Sequence, residues 1–158
     1  RRRRVGVCAG NSTQVFLLRE TRSIMPEASS PIPESRHVFV YGTLRAGGSN
    51  DIARFHPPPH LVGHAEITGT LYDLGAYPGA TLGGAGRLVG EVYRIDPGLE
   101  LQLDQLEEVM PDDEGEYRKR EVPVQVGMQR LQCLVYEIHP KRILGRRVIG
   151  SGEWFKRP

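Results

Sequence analysis

Glu107 is the carboxylate whose neighbours point most directly to proton chemistry. It stands four residues beyond Leu103, so on a helix the two share one side, while Glu108 is turned away by about 100°. A carboxylate at the border of an apolar face is desolvated, its pKa rises, and it can give and take a proton near neutrality. Position alone leaves a second reading open, a solvated charge at a helix end. The other stretch with chemical promise is Val38-Phe39-Val40-Tyr41-Gly42-Thr43-Leu44-Arg45-Ala46-Gly47-Gly48-Ser49-Asn50. Its first three residues are β-branched or aromatic, which suits a strand packed on both faces. The glycines that follow let the chain turn and bring main-chain N–H groups close to a ligand. A plain turn after a strand uses the same residue types, and nothing in this run says what would be bound.

These two stretches need a scaffold, and the rest of the chain supplies one. Asp96-Pro97 opens a helix, with Asp as N-cap and Pro at the first helical position. Leu99, Leu101, Leu103, Leu106, Val109 and Met110 mostly recur at spacings of three and four, which predicts a helix with one packed face, broken by the acidic run at 111–115. Strands are expected at 61–65, 67–73, 88–95, 122–126 and 131–138, the last two joined as a hairpin through Gly127-Met128-Gln129. Tyr77-Pro78-Gly79-Ala80 reads as a turn and Gly83-Gly84-Ala85-Gly86 as a loop. A short helix over 50–55 stops before Pro57-Pro58-Pro59. Short strands, glycine turns and little helix predict an α+β fold, a small mixed β-barrel or bent mixed sheet with one or two short helices at its rim.

Bulk properties narrow the partners. A chain of 158 residues fits one domain with a normal core. The net charge is only +2, and the basic excess gathers in Arg1 to Arg4 and after Lys141, so the middle of the chain offers nucleic acid little. Cys8 and Cys133 lie in segments of different character, implying neither a disulfide framework nor a zinc site, and a cytoplasmic setting is the default expectation. His37, His56, His60, His64 and His139 lack metal-ligand spacing on a shared face and are expected at the surface, with no metal or cofactor. No apolar run approaches the roughly 20 residues that span a bilayer. Residues 1–36 read as a leader without periodicity, with Met25 as a candidate start. The apolar stretch behind the arginines is too short for a secretory signal, and Glu20 speaks against a transit peptide. Residues 37–140 form the expected domain. Residues 141–158 form a basic tail whose Trp154-Phe155 pair offers a patch for docking back. A monomer or weak homodimer acting on a small molecule is expected.

The run Phe39-Val40-Tyr41-Gly42-Thr43-Leu44-Arg45 resembles the opening of the gamma-glutamylcyclotransferase-like (AIG2-like) family. Further features of that family follow in order: Gly-Arg-Leu-Val-Gly-Glu-Val-Tyr at 86–93, Leu-Asp-Gln-Leu-Glu at 103–107, Tyr117-Arg118 with Arg120, and Val135-Tyr136. The resemblance covers roughly residues 37 to 139 and implies the same barrel. It also implies that Glu107 is the catalytic glutamate of a reaction in which the α-amine of a γ-glutamyl amide attacks its own γ-carbonyl. That step closes 5-oxoproline and releases the attached amine, with no water or cofactor consumed. By the same resemblance Tyr41, Gly42, Thr43 and Leu44 form the substrate loop, whose N–H groups could hold the oxyanion. Tyr77 would face the cavity and Tyr117 would offer its hydroxyl to the substrate, with Tyr136 a weaker candidate. Glu91 is open between a cavity position and a salt bridge at the rim. Two other functions compete: a non-catalytic small-molecule-binding module of the same family, and a phosphate or nucleotide binder, for which the loop lacks the closing Lys-Ser/Thr.

Overall fold

A computed structural model describes residues 35–156 of the chain, so Cys8 and the leader up to residue 34 lie outside the described residues, while Arg36, expected in the leader, already opens the first strand. Strands β1 (Arg36–Val40), β2 (His60–Asp73), β3 (Pro78–Ile95), β4 (Tyr117–Val126), β5 (Gln129–Ile138) and β6 (Arg147–Val148) make one six-stranded sheet. Its order is β4-β5-β1-β3-β2-β6, and the sheet curls into a half-barrel carrying one helix, α1 (Pro97–Leu106). β1 pairs parallel to β5 and antiparallel to β3, which makes the sheet mixed as expected.

β1 is the centre of the fold. Val38, Phe39 and Val40 are all essentially buried, and they divide between two cores by the alternation of a strand. Phe39 joins Leu71, Leu88, Val92, Val124 and Val135, while Val38 and Val40 join Leu99 and Leu103 of α1. Burying a leucine side chain fully contributes about 1.5–3 kcal/mol, so Leu99 and Leu103 hold α1 to the sheet.

The helix begins as the sequence predicts, with the Asp96 carboxylate accepting the Leu99 N–H at 2.8 Å and Pro97 in the first position. It ends sooner than the apolar spacing predicts, since Leu101, Leu106 and Met110 are exposed and only Leu99 and Leu103 are buried. The Glu108 N–H reaches the Gln105 carbonyl at 3.2 Å and the Val109 N–H the Asp104 carbonyl at 3.0 Å. Glu108 takes φ 53, so these contacts form the left-handed cap that reverses a chain at a helix end. Glu107 is thereby the last residue before the reversal.

Three loop expectations are corrected. The strands expected at 61–65 and 67–73 are one continuous β2, and β3 starts at Pro78, inside the expected turn. The glycine run at 83–86 is a bulge within β3, where pairing jumps from Gly69↔Leu82 to Thr68↔Arg87. Gly83 and Gly84 take φ +87 and +82, a conformation that glycine adopts without penalty. The segment after residue 140 belongs to the domain: β6 pairs with β2, the Val89 N–H donates to the Gly152 carbonyl at 2.8 Å, and Ile149 and Trp154 lie in the Phe39 core. Among the described residues no helix is long and apolar enough to cross a membrane.

Candidate active site

A cavity of about 260 Å³ opens where the C-terminal end of β1, the loop before β3, the end of α1 and the start of β4 converge. Tyr41, Gly42, Thr43, Leu44, Tyr77, Glu107 and Tyr117, the residues singled out by sequence, all line it, together with Tyr136, Ser49, Asn50, Leu106 and Glu116.

The loop after β1 is shaped by its own hydrogen bonds. Arg45 N–H donates to Gly42 O at 3.0 Å, Asn50 N–H to Thr43 O at 3.0 Å and Ile52 N–H to Leu44 O at 2.9 Å. Carbonyls are thus consumed inside the loop, while the N–H groups of Gly42, Thr43 and Leu44 donate to no acceptor among the described residues. That polarity leaves donors beside the cavity, an arrangement suited to an anion or a developing oxyanion. Gly42 does not have a positive φ. Its need for glycine comes from packing, because a Cβ there would lie 2.7 Å from Pro78 Cγ.

Glu107 comes to the cavity through the early helix end, one turn beyond the buried Leu103. Its carboxyl makes no hydrogen bond or ion pair among the described residues. Desolvation pushes its pKa up to about 8, and the Glu116 carboxylate adds to the rise. The negative end of the α1 dipole acts in the same direction. A carboxyl that titrates near neutrality inside a cavity is equipped to exchange protons with a bound molecule.

The tyrosines are wired to the frame. Tyr41 donates its hydroxyl to the Tyr136 carbonyl at 2.7 Å and accepts the Ala80 N–H at 3.1 Å. Tyr117 donates to the Pro78 carbonyl at 2.6 Å, so its proton is committed to the frame and its oxygen is left as an acceptor. Tyr136 donates to Asp104 at 2.7 Å, and Lys119 bridges Asp104 at 2.8 Å and Glu100 at 2.6 Å. This chain of contacts ties α1 to β4 and β5 and thereby fixes the point from which Glu107 projects. Burial raises the pKa of Tyr41, Tyr117 and Tyr136, so all three stay protonated donors. Tyr77 hydrogen-bonds through its hydroxyl to Glu116, a contact that raises the Tyr77 pKa.

Several residues stand where the sequence did not put them. Glu91 is neither at the rim nor on the cavity. At 4 % exposure it accepts Arg45 Nε at 3.1 Å, the Ala46 N–H at 3.0 Å and the Tyr93 hydroxyl at 2.8 Å. Arg45 also reaches Glu153 at 3.2 Å and stacks over Phe155, so the C-terminal segment braces the loop after β1 from behind. His139, expected at the surface, is buried, with its ring accepting the Lys141 N–H at 3.1 Å. Cys133 is a buried strand residue as expected, its thiol pushed up to about 11 by burial. Glu116, Asp104 and Arg45 went without a role in the sequence reading. The only signal for Glu116 was a carboxylate beside Tyr117, and its meaning depends on where β4 starts in space. Among the described residues no cluster of His, Cys, Asp or Glu could hold a metal ion.

Comparison with known proteins bears on the family. The family model for gamma-glutamyl cyclotransferase, AIG2-like, matches residues 38–156. The Escherichia coli K12 protein named gamma-glutamylcyclotransferase family protein YtfP is 32% identical over 127 residues, spanning 76% of this chain and 96% of that one. The solution structure of E. coli ytfP superposes with a TM-score of 0.54 at 35% identity, covering 77% of this chain and 97% of that one. The crystal structure of a mouse AIG2-like protein gives 0.56 at 28%, over 69% and 82%. The match to the family model spans nearly the whole described barrel, including the segment after residue 140 that braces the loop, and the chain therefore belongs to the gamma-glutamylcyclotransferase, AIG2-like family.

Proposed function

We propose that this protein is a cyclotransferase that converts a γ-glutamyl amide to 5-oxoproline and the free amine, with Glu107 as its general base and acid. The observation that carries the reading is a desolvated Glu107 carboxyl in the same cavity as a loop in which the N–H groups of Gly42, Thr43 and Leu44 donate to no acceptor among the described residues. The substrate α-carboxylate or the developing oxyanion sits at the N–H groups of Gly42 to Leu44, and the α-ammonium approaches Glu107. The approaching ammonium favours the ionised form of Glu107, whose proton passes to solvent, and the carboxylate then takes a proton from the ammonium as the nitrogen becomes the nucleophile. The amine nitrogen attacks the γ-carbonyl carbon, forming the lactam C–N bond. Glu107 then delivers a proton to the departing nitrogen as the original C–N bond breaks, so the carboxylate is regenerated. Ring closure is intramolecular, and the tyrosine-framed cavity contributes by holding the folded conformer.

The experiment is 5-oxoproline release from a panel of γ-glutamyl amides by the wild type and Glu107→Gln. Release by the wild type and its loss in the folded variant supports the reading. Release surviving within tenfold in the variant removes Glu107 from the role. A protein that binds the panel without releasing 5-oxoproline would be a binding module of the same family.

A further inference from the structure

The cyclotransferase reading uses one of the two carboxylates in the cavity. Glu116 lines the same space, and among the described residues that line it there is no Lys, Arg or His. It sits immediately before β4 and is held at both ends: Tyr77 donates its hydroxyl to the carboxylate, and the Glu116 carbonyl accepts the His139 N–H at 2.9 Å. A carboxylate fixed in a cavity by a tyrosine, without a basic partner among the described residues, is a charge that a ligand will feel.

Its reach extends to the reacting end of the cavity. Glu116 acts electrostatically on Glu107, and Glu107 must come within hydrogen-bonding distance of both the attacking and the departing nitrogen. A charged group a few atoms along the departing amine therefore lies in the field of both acids. The groups that act on Tyr77 at this end are Glu116, Glu108 and Arg142. Glu108 is a third acid, while Arg142 belongs to the short turn Pro140–Arg142, is exposed, and lies outside the lining.

We propose that Glu116 is a specificity-determining residue that selects the charge of the leaving group, favouring γ-glutamyl amides whose departing amine carries a second ammonium and disfavouring those whose departing amine carries a carboxylate. The inference rests on the cyclotransferase reading. The glutamyl half brings its own ammonium and carboxylate, which cancel, so the leaving group decides the net charge entering a cavity that already holds two acids. A carboxylate on that group meets like charge among the described residues that line the cavity, and an ammonium finds a partner held in place beforehand.

Three amides of matched length separate the charges: γ-glutamyl-1,4-diaminobutane, γ-glutamylbutylamine and γ-glutamyl-4-aminobutanoate. For the wild type kcat/KM should fall in that order, by about tenfold per step, a ratio that a modest electrostatic difference supplies. In Glu116→Gln the ratio between the first and last amide should collapse by about tenfold or more. Raising the salt concentration should compress the same ratio in the wild type, which tests the electrostatic origin without any variant. A wild type that prefers the carboxylate amide, with that preference lost in Arg142→Gln, overturns the proposal and leaves the cyclotransferase reading standing. So does an unchanged ratio in Glu116→Gln. If no amide releases 5-oxoproline, the cyclotransferase reading itself fails. Calorimetric binding of the same three amides to the wild type then decides charge selection: tightest binding of the diamine amide supports it, and equal binding or preference for the carboxylate overturns it.

Discussion

Glu91 and Glu107 are both carboxylates withdrawn from water, sixteen positions apart in sequence, and the barrel treats them in opposite ways. Glu91 is surrounded by donors: a guanidinium, a main-chain N–H and a tyrosine hydroxyl all point at its two oxygens. Glu107 has no such partner among the described residues, shares its cavity with another acid, and titrates near pH 8. A buried charge whose donors are supplied becomes part of the frame, and here it holds the back of the loop after β1. A desolvated acid that meets no donor among the described residues remains able to accept and release a proton. The difference lies in the neighbours, since the side chains are chemically the same.

The largest effect should separate the two acids by activity. Glu107→Gln should lower 5-oxoproline release by about 10²–10⁴-fold, the usual contribution of a general acid–base group, while the circular dichroism spectrum stays that of the wild type. Glu91→Ala should act the other way round, as a loss of fold. Among the described residues it leaves the buried Arg45 with Glu153 alone to pair with, and breaking a buried ion pair costs about 3–5 kcal/mol in urea unfolding. A loss below about 1 kcal/mol would place Glu91 among loosely held charges and dissolve the contrast.

Next in size is a pH effect whose sign follows from the raised pKa. Between the ordinary carboxylate value of 4.5 and about 8, folded Glu107 holds a proton that the unfolded chain has released. Its contribution to stability is therefore fully present below pH 4.5 and is lost as pH rises through 8. Gln carries no such dependence, so the Tm advantage of Glu107→Gln over the wild type should be greater at pH 9 than at pH 5. An advantage that stays flat with pH would show Glu107 to be ordinarily solvated.

Smaller effects test the loop between the two acids. Gly42→Val drives a side chain into the Pro78 ring and should destabilise by about 1–3 kcal/mol, with activity falling alongside. Thr43→Ser keeps the hydroxyl that accepts from Asn50 Nδ2 at 3.2 Å and should change stability by less than about 0.5 kcal/mol, with 5-oxoproline release near wild type. A large loss from this change would mean that the Thr43 methyl, and not the loop backbone, makes the important contact.

What the sequence determined by itself is what depends on near neighbours. A run of Val38, Phe39 and Val40 has to be buried on both faces, Asp96-Pro97 starts a helix, and Gly127 turns one strand back onto the next. The position of Glu107 relative to Leu103 was legible for the same reason, because one helical turn fixes it. Tertiary structure alone decided the features that join distant segments. The helix stops at Leu106 because Glu108 takes a left-handed conformation that brings Val109 back against the core, and the strands run through the glycines at 83–86 because β2 continues to pair on either side of the bulge. Arg45 meets Glu91 and Glu153 across separations of 46 and 108 residues, and Glu116 enters the cavity only where β4 begins beside Tyr77. No local pattern encodes such contacts, since each is fixed by the curl of the whole sheet. The sequence could thus show two acids capable of chemistry, and only the fold could give one of them its counter-charge and leave the other without.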